Sequence, residues 1–253
     1  MKKFLEKVKQ NKKVLLIIGG IILGIALIAT GIWYYISDGF YHTPDDYTPI
    51  GDVNAPVVES QAQGRNLQEE IKALNATYPD AKYWLLVPGT VIDTPVFQAT
   101  DNDRYLRHDR DNKQTKWGEP FMDYRCIMDN MDNMSHFIIY DHNTETNDHF
   151  TPLLNYKDKN FFNDHKVIEM SSLNGNYKWE IFSVFVTDIN YFYLDTHFEN
   201  ADEYSNFLKD LKSKSMYNTE TEITGNETIL TLSTCDYTRK DGRFVVQAKL
   251  VKE

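Results

Sequence analysis

Residues 227–251 read ETILTLSTCDYTRKDGRFVVQAKLV, and this stretch decides how the rest of the chain can be interpreted. Two apolar, partly β-branched runs, 229–232 and 244–251, flank a polar segment, which is typical of a β-hairpin. Such a hairpin places Cys235 at the exposed end of one strand and Arg243 at the start of the next, facing each other. A thiol near a fixed cation ionises readily, and a guanidinium has fixed donors that suit a developing oxyanion. The stretch therefore predicts a cysteine nucleophile.

A cysteine nucleophile needs a base, which is usually a histidine distant in sequence and near in space. The best candidate is His142, which follows the apolar run of HFIIYDHN at 136–143 and so lies at another strand end. Arg239, in the middle of the polar segment, is a rival for the catalytic arginine. A mid-loop position fixes its geometry less well than the start of a strand fixes that of Arg243.

Several motifs in this order resemble the sortases of Gram-positive bacteria, and class B most closely. Besides TLSTC at 231–235, they are WLLVPGT at 84–90, IDTPV at 92–96, DNDRYL at 101–106 and FMDYR at 121–125. The resemblance covers residues 61–253. One position departs from the family, because sortases usually have Gly before the catalytic histidine and this chain has Asp141. A carboxylate there is expected to favour the charged imidazole.

The resemblance implies a mainly β fold: a closed eight-stranded sortase-type β-barrel with an N-terminal helix and a helix in the long loop before the penultimate strand. It implies catalysis by Cys235, His142 and Arg243, without a metal or an organic cofactor. It also implies five residues in a substrate groove. These are Asn102, Leu106, Tyr193, Leu194 and Ser233.

The activity that the resemblance implies is that of a membrane-anchored cysteine transpeptidase. Such an enzyme cleaves a C-terminal sorting motif of the NPxTN or NPxTG kind after Thr. It then transfers the acyl group to an amine of a peptidoglycan precursor. The expected partners are secreted proteins that carry the motif, the lipid-linked precursor and the cytoplasmic membrane.

Composition limits the alternatives. The chain has 253 residues, of which 42% are hydrophobic, so it can bury one substantial core. Its formal net charge is −10, and residues 1–13 hold six Lys and one Glu, or +5, which leaves −10 − 5 = −15 for the remainder. An acidic body argues against nucleic acid as a partner, because phosphates need a basic face.

Residues 14–37, VLLIIGGIILGIALIATGIWYYIS, run without a charge, and as a helix they are long enough for the bilayer core of about 30 Å. We expect an uncleaved transmembrane signal anchor rather than a signal peptide, since the run is long and no small-x-small cleavage site is evident. The lysines before it place the basic tail, 1–13, in the cytoplasm. Residues 38–60 then form an extracellular linker, and residues 61–253 the extracellular catalytic domain.

From residue 83 onward, short apolar runs alternate with turns, which predicts a barrel or sandwich. The runs are 84–87, 91–97, 119–124, 137–140, 167–170, 179–187, 227–233 and 244–251. Leu67, Ile71 and Leu74 have the spacing of a short amphipathic helix that packs on the barrel. Residues 200–215 also have helical spacing, and Asn200 with Glu203 resembles a capping box.

Other interpretations of the same residues remain open. A disulfide between Cys126 and Cys235 would silence the enzyme. A calcium loop at 101–111 lacks the EF-hand spacing and its Gly. Histidines 142, 149 and 165 fit no closed zinc motif, and the last two are expected at the surface. The functional alternatives are a cysteine hydrolase with water as the acceptor and a non-catalytic surface adhesion domain.

Overall fold

The computed structural model of the protein describes residues 64–126 and 135–251. The predicted cytoplasmic tail 1–13, transmembrane anchor 14–37 and linker 38–60 lie outside these residues. Within the two described ranges, no helix is long and apolar enough to cross a membrane.

Eight strands and several short helices make up the described chain. The strands are β1 Ala81–Leu86, β2 Asp93–Phe97, β3 Phe121–Met122, β4 His136–Tyr140, β5 Val167–Ser172, β6 Gly175–Asp188, β7 Ile229–Asp236 and β8 Gly242–Leu250. The helices are α1 Leu67–Asn75, α2 Arg104–Arg107, a 3-10 helix Thr151–Lys157, α3 Lys159–Asp164 and α4 Ala201–Ser213.

The strands close into a barrel in the order β1-β2-β3-β4-β7-β8-β6-β5, which confirms the predicted barrel. Each predicted apolar run overlaps one strand, although the run at 119–124 shrinks to the two residues of β3. Neighbouring strands are antiparallel except for two parallel pairs, β2 with β3 and β4 with β7. The second of these pairs joins segments that are far apart in sequence, and it carries the candidate site.

The central strands β4, β7 and β8 are buried on both faces for most of their length. Residues such as Phe137, Trp179 and Leu232 fill the interior. On the outside, α1 packs Ile71 against Phe97 in a second cluster. Helix α4 covers a third cluster with a buried stripe at helical spacing, and its members are Tyr204, Leu208 and Leu211. Fully burying one large apolar side chain stabilises the folded state by about 1.5–3 kcal/mol. Helices α1 and α4 each bury such side chains against the barrel, so they contribute to the stability of the domain.

Both predicted amphipathic helices are confirmed, with one difference at a cap. The Asn200 side chain accepts a hydrogen bond from Glu203 N (2.9 Å), as a capping box requires. The Glu203 carboxylate, however, accepts from Glu199 N (2.6 Å) rather than from Asn200 N.

Candidate active site

The β7–β8 hairpin places the candidate nucleophile beside an arginine. Cys235 and Arg243 occupy directly opposite positions of the antiparallel pair, and Cys235 is half-buried. A Cβ on Gly242 would lie 2.1 Å from Asp236 O, so the hairpin closes this tightly only with glycine at that position. Arg243 Nη1 donates to the carbonyl of Gly242 at 2.8 Å, which holds the guanidinium near its own strand.

The parallel pairing of β4 with β7 brings His142 to the same end of the barrel. Tyr140 lies beside Ser233 in the register, and beyond the strand end Asn143 Nδ2 donates to Cys235 O at 3.0 Å. Two more bonds hold the segments in step: Asp141 N to Ser233 O at 3.3 Å, and Thr234 Oγ1 to Asp141 O at 2.8 Å. The three predicted catalytic residues therefore lie at the same end of the barrel: His142 just beyond the end of β4, Cys235 in β7 and Arg243 in β8.

The His142 ring is confined by residues that the sequence did not identify as partners. Nε2 lies 3.1 Å from the carbonyl oxygen of Leu106, and Trp117 packs on the ring with centroids 5.3 Å apart. A carbonyl oxygen only accepts, so Nε2 carries the proton and Nδ1 is the basic nitrogen. Burial lowers the pKa of His142 to about 4, although the bond to Leu106 opposes this, so the imidazole is neutral at pH 7.

The expected effect of Asp141 on this ring is wrong. Asp141 Oδ1 accepts from the backbone N–H of His142 (2.8 Å) and pairs with His149 Nδ1 (2.8 Å). Burial raises the pKa of Asp141 to about 6. Burial works against a charged His149, but the carboxylate outweighs it and raises its pKa. The carboxylate of Asp141 therefore favours the charged form of His149 and not that of His142, and His149 is half-buried against this carboxylate rather than a free surface residue.

The disulfide alternative is excluded because both cysteines are free and lie at opposite ends of the barrel. Cys126 Sγ donates to the carbonyl of His136, at the beginning of β4 (3.3 Å). Cys235 lies six residues along the neighbouring strand from the partner of His136, which is Ile229. At about 3.3 Å per residue this is roughly 20 Å, far beyond disulfide reach. Burial also raises the pKa of Cys126 to about 12, so its thiol is inert.

The five predicted groove residues have identifiable partners in the structure. Tyr193 and Ser233 are buried and bond to each other through their hydroxyls at 2.8 Å. Leu194 follows Tyr193, and its carbonyl accepts from Arg125 Nη2 at 3.1 Å. Leu106 contributes its backbone carbonyl to His142, as described above.

The fifth groove residue, Asn102, belongs to a network around the buried carboxylate of Asp123. Its Nδ2 donates to Asp123 Oδ2 at 3.1 Å, and the Tyr140 hydroxyl donates to the same oxygen at 2.9 Å. Arg125 donates to both carboxylate oxygens, at 2.9 and 2.8 Å. Burial opposes ionisation of Asp123, but these donors hold its pKa below the ordinary value. Asp123 and Arg125 belong to the FMDYR motif at 121–125, but nothing in the sequence pattern indicates this role.

The residue after the nucleophile is anchored as well. The carboxylate of Asp236 is fully buried and lies 2.6 Å from Lys157 Nζ, at the end of the 3-10 helix. Burial opposes its ionisation, but Lys157 and Thr238 outweigh this and hold the pKa of Asp236 below its usual range. No sequence pattern pointed to Lys157, which lies 79 positions earlier (236 − 157) in a helix that the sequence analysis did not predict.

Comparisons with known proteins identify the family. The family model described as the sortase domain matches residues 85–251. Sortase B of Listeria monocytogenes serovar 1/2a (strain ATCC BAA-679 / EGD-e) is 32% identical over 237 residues, covering 90% of this chain and 95% of that protein.

Solved sortase B structures share the fold, and two of them illustrate the similarity. The crystal structure of Clostridium perfringens sortase B superposes with a TM-score of 0.67 at 33% identity, covering 72% of this chain and 99% of the other. A Staphylococcus aureus sortase B–substrate complex has a TM-score of 0.68 at 32% identity, covering 76% and 88%.

Proposed function

This chain belongs to the sortase family and is a cysteine transpeptidase of the sortase B type, and we propose that it attaches secreted proteins to the cell wall. Its substrate is a C-terminal sorting motif of the NPxTN or NPxTG kind, cleaved after Thr. The acyl acceptor is an amine of the lipid-linked peptidoglycan precursor. The observation that supports this proposal best is the placement of Cys235 opposite Arg243 and level with His142.

The first half of the reaction forms a thioester. The neutral imidazole of His142 accepts the Cys235 proton at Nδ1 as the sulfur attacks the Thr carbonyl carbon. Arg243 and backbone N–H groups hold the resulting oxyanion. When the C–N bond breaks, His142 returns the proton to the leaving amine, and a thioacyl-enzyme remains. A neutral histidine therefore suffices at rest, because the thiol supplies the proton.

The second half transfers the acyl group. The precursor amine attacks the thioester carbon, and His142 accepts a proton from it. The C–S bond then breaks, and the thiolate of Cys235 recovers the proton from His142. The product is an amide between the Thr carboxyl carbon and the precursor amine.

The groove residues are assigned by their position near this trio. Tyr193, Leu194 and Ser233 lie on one side of the β7 strand end, while Asn102 and Leu106 belong to the segment that contacts His142 and Asp123. We assign all five to binding of the sorting peptide.

The membrane location rests on the sequence alone. We propose that residues 14–37 are a single-pass anchor with residues 1–13 in the cytoplasm, that residues 38–60 are a linker, and that residues 61–253 are the extracellular catalytic domain. This arrangement places the enzyme where exported substrates and a lipid-linked amine meet.

The test is incubation of the full-length protein with an NPxTN peptide, with and without a glycine-peptide amine, followed by mass spectrometry. We expect a ligated product with the amine and none from Cys235→Ala, which should fold normally because it loses only one half-buried thiol. Hydrolysed peptide alone, whatever the amine concentration, would instead favour the hydrolase alternative. An intact peptide together with an unreactive Cys235 would favour the adhesion domain.

A further inference from the structure

The loop between β6 and β7 is held to the barrel at three consecutive residues, 193–195, which we call the wall segment. The Tyr193 hydroxyl bonds to Ser233 Oγ at 2.8 Å. The carbonyl of Leu194 accepts from Arg125, and the carbonyl of Asp195 lies 2.7 Å from Nδ1 of His136. Ser233 of β7, Arg125 of the segment after β3 and His136 of β4 therefore fix three successive positions of one loop.

His136 is built to donate to this loop. Since the carbonyl of Asp195 only accepts, Nδ1 carries the proton, and Nε2 accepts from the Thr231 hydroxyl at 2.7 Å. Thr231 Oγ1 in turn accepts from Gln247 Nε2 at 3.1 Å. A chain of hydrogen bonds thus runs from β8 through β7 and β4 to the loop. His136 is buried and Phe207 of α4 covers its ring, with centroids 5.6 Å apart, so the ring cannot turn away.

Arg125 is oriented by a different element. Its guanidinium forks onto the buried carboxylate of Asp123, and Nη2 also reaches the carbonyl of Leu194. A guanidinium held in a bidentate pair keeps its remaining donors in fixed directions. The hydrogen bond from Arg125 to the carbonyl of Leu194 is therefore fixed in direction by the buried carboxylate of Asp123.

The tethers follow the face of β7 that carries the nucleophile. Thr231, Ser233 and Cys235 alternate along the strand, so they share one face. The first of them supports His136 and the second bonds Tyr193. The wall segment thus lies along the row of side chains that ends at the thiol.

We propose that His136 and Arg125 are positioning residues that fix the wall segment along the face of β7 that ends at Cys235, and thereby set the affinity for the sorting peptide. The proposal rests on the proposed function. Both side chains act through backbone carbonyls of the wall segment, so neither has to touch the peptide. Their loss is expected to raise KM while sparing the chemistry at the thiol.

The first test uses two amides at position 136 in the full-length protein. His136→Asn places its amide nitrogen near the position of Nδ1 and keeps the donor to Asp195. His136→Gln places the amide near Nε2 and loses that donor. We expect His136→Gln to raise KM for an NPxTN peptide about fivefold to tenfold, as loss of one hydrogen bond implies, and His136→Asn to restore most of the affinity.

The second test uses Arg125→Lys, which keeps a positive charge beside Asp123 but loses the fork that also reaches Leu194. We expect a KM increase of similar size. His165→Gln is the matched control, because it removes an Nδ1 bond to a backbone carbonyl, that of Phe161, outside the proposed site. Alkylation of Cys235 by iodoacetamide should proceed at the wild-type rate in every variant.

Hydrogen exchange of the backbone amides at 191–199 measures how firmly His136 and Arg125 hold the wall segment, and it requires no enzymatic turnover. Faster exchange in His136→Gln and Arg125→Lys, and not in His136→Asn or His165→Gln, supports the proposal. Wild-type KM and exchange in both tether variants would overturn it, as would an equal defect in His136→Asn and His136→Gln or a matching fall in thiol alkylation. If the wild type processes no sorting peptide, the proposed function fails and exchange alone decides on the tether.

Discussion

Two arginines near the thiol differ in how firmly the backbone holds them. Arg243 lies in β8 opposite Cys235, whereas Arg239 is exposed in the connecting turn. We predict that Arg243→Lys is severely impaired and that Arg239→Ala is mild. Lys keeps the charge but loses the planar fork, and loss of one oxyanion donor typically costs on the order of 10²–10³ in rate.

The measurement for both arginines is single-turnover acylation of Cys235 by a sorting peptide, followed by mass spectrometry. A near-normal rate in Arg243→Lys would mean that positive charge alone suffices. A large fall in the acylation rate of Arg239→Ala would instead indicate that Arg239, in the turn, holds the oxyanion.

His136 should also make stability depend on pH. Burial lowers its pKa in the folded protein to about 4, whereas an unfolded histidine has a pKa of about 6.5. Between these values the unfolded state binds the extra proton, so stability falls as the pH drops from about 6.5 to 4. This shift corresponds to about 3 kcal/mol. Urea unfolding of the wild type and of His136→Asn should therefore diverge over this range, with the wild type losing more; parallel curves would contradict the prediction.

At the scale of single residues, the sequence predicts the candidate catalytic residues, because the reaction requires particular side-chain types. Cys235, His142 and Arg243 stand at the ends of recognisable apolar runs, so their meeting was predictable once the runs were taken as strands. The partners of Asp141 and Lys157 were not predictable, because an ion pair between residues distant in sequence does not change the local spacing of apolar and polar residues. Asp141 shows the consequence: its position suggested a charged His142, and its actual partner is His149.

At the scale of elements, the 3-10 helix is attached to β7 by one ion pair. Lys157→Ala would leave the buried carboxylate of Asp236 without its cation. Breaking a buried pair in this way costs about 3–5 kcal/mol. We expect a large drop in thermal stability for Lys157→Ala, and a partial recovery in Asp236→Asn with Lys157→Ala, since the amide carries no charge. The midpoints of thermal unfolding measure both, and equal losses in the two variants would show that the charge is not the cause.

Helices and strands whose buried apolar residues recur at regular spacing could be predicted from the sequence. Short helices without such spacing could not. Helices α1 and α4 have apolar residues at helical spacing, and the eight strands are short apolar runs between turns. Helix α2 and the 3-10 helix are only 4 and 7 residues long, too short for a period to emerge. Helix α3 has 6 residues and buries only the adjacent pair Phe161 and Phe162. The strand order also remained open, because pairing partners are set by packing of the whole barrel.

At the scale of the whole molecule, the barrel holds its own core. The described domain buries the outer faces of its strands under its own helices α1 and α4. We predict that deletion of residues 1–37 leaves a soluble, folded and active enzyme, because the anchor supplies location and not structure. Circular dichroism and turnover of a sorting peptide measure this, and an insoluble or inactive product from two independent truncation points would contradict it.

The parallel pairing of β4 with β7 affects when during folding the enzyme becomes active. The bond from Thr234 to Asp141 joins residues 93 positions apart, and closing such loops makes folding slow. Nucleophile and base come from the two sides of this junction, so no local fragment of the chain can assemble them. A newly synthesised molecule is therefore catalytically silent until its barrel has closed, and the appearance of thioester chemistry marks the end of its folding.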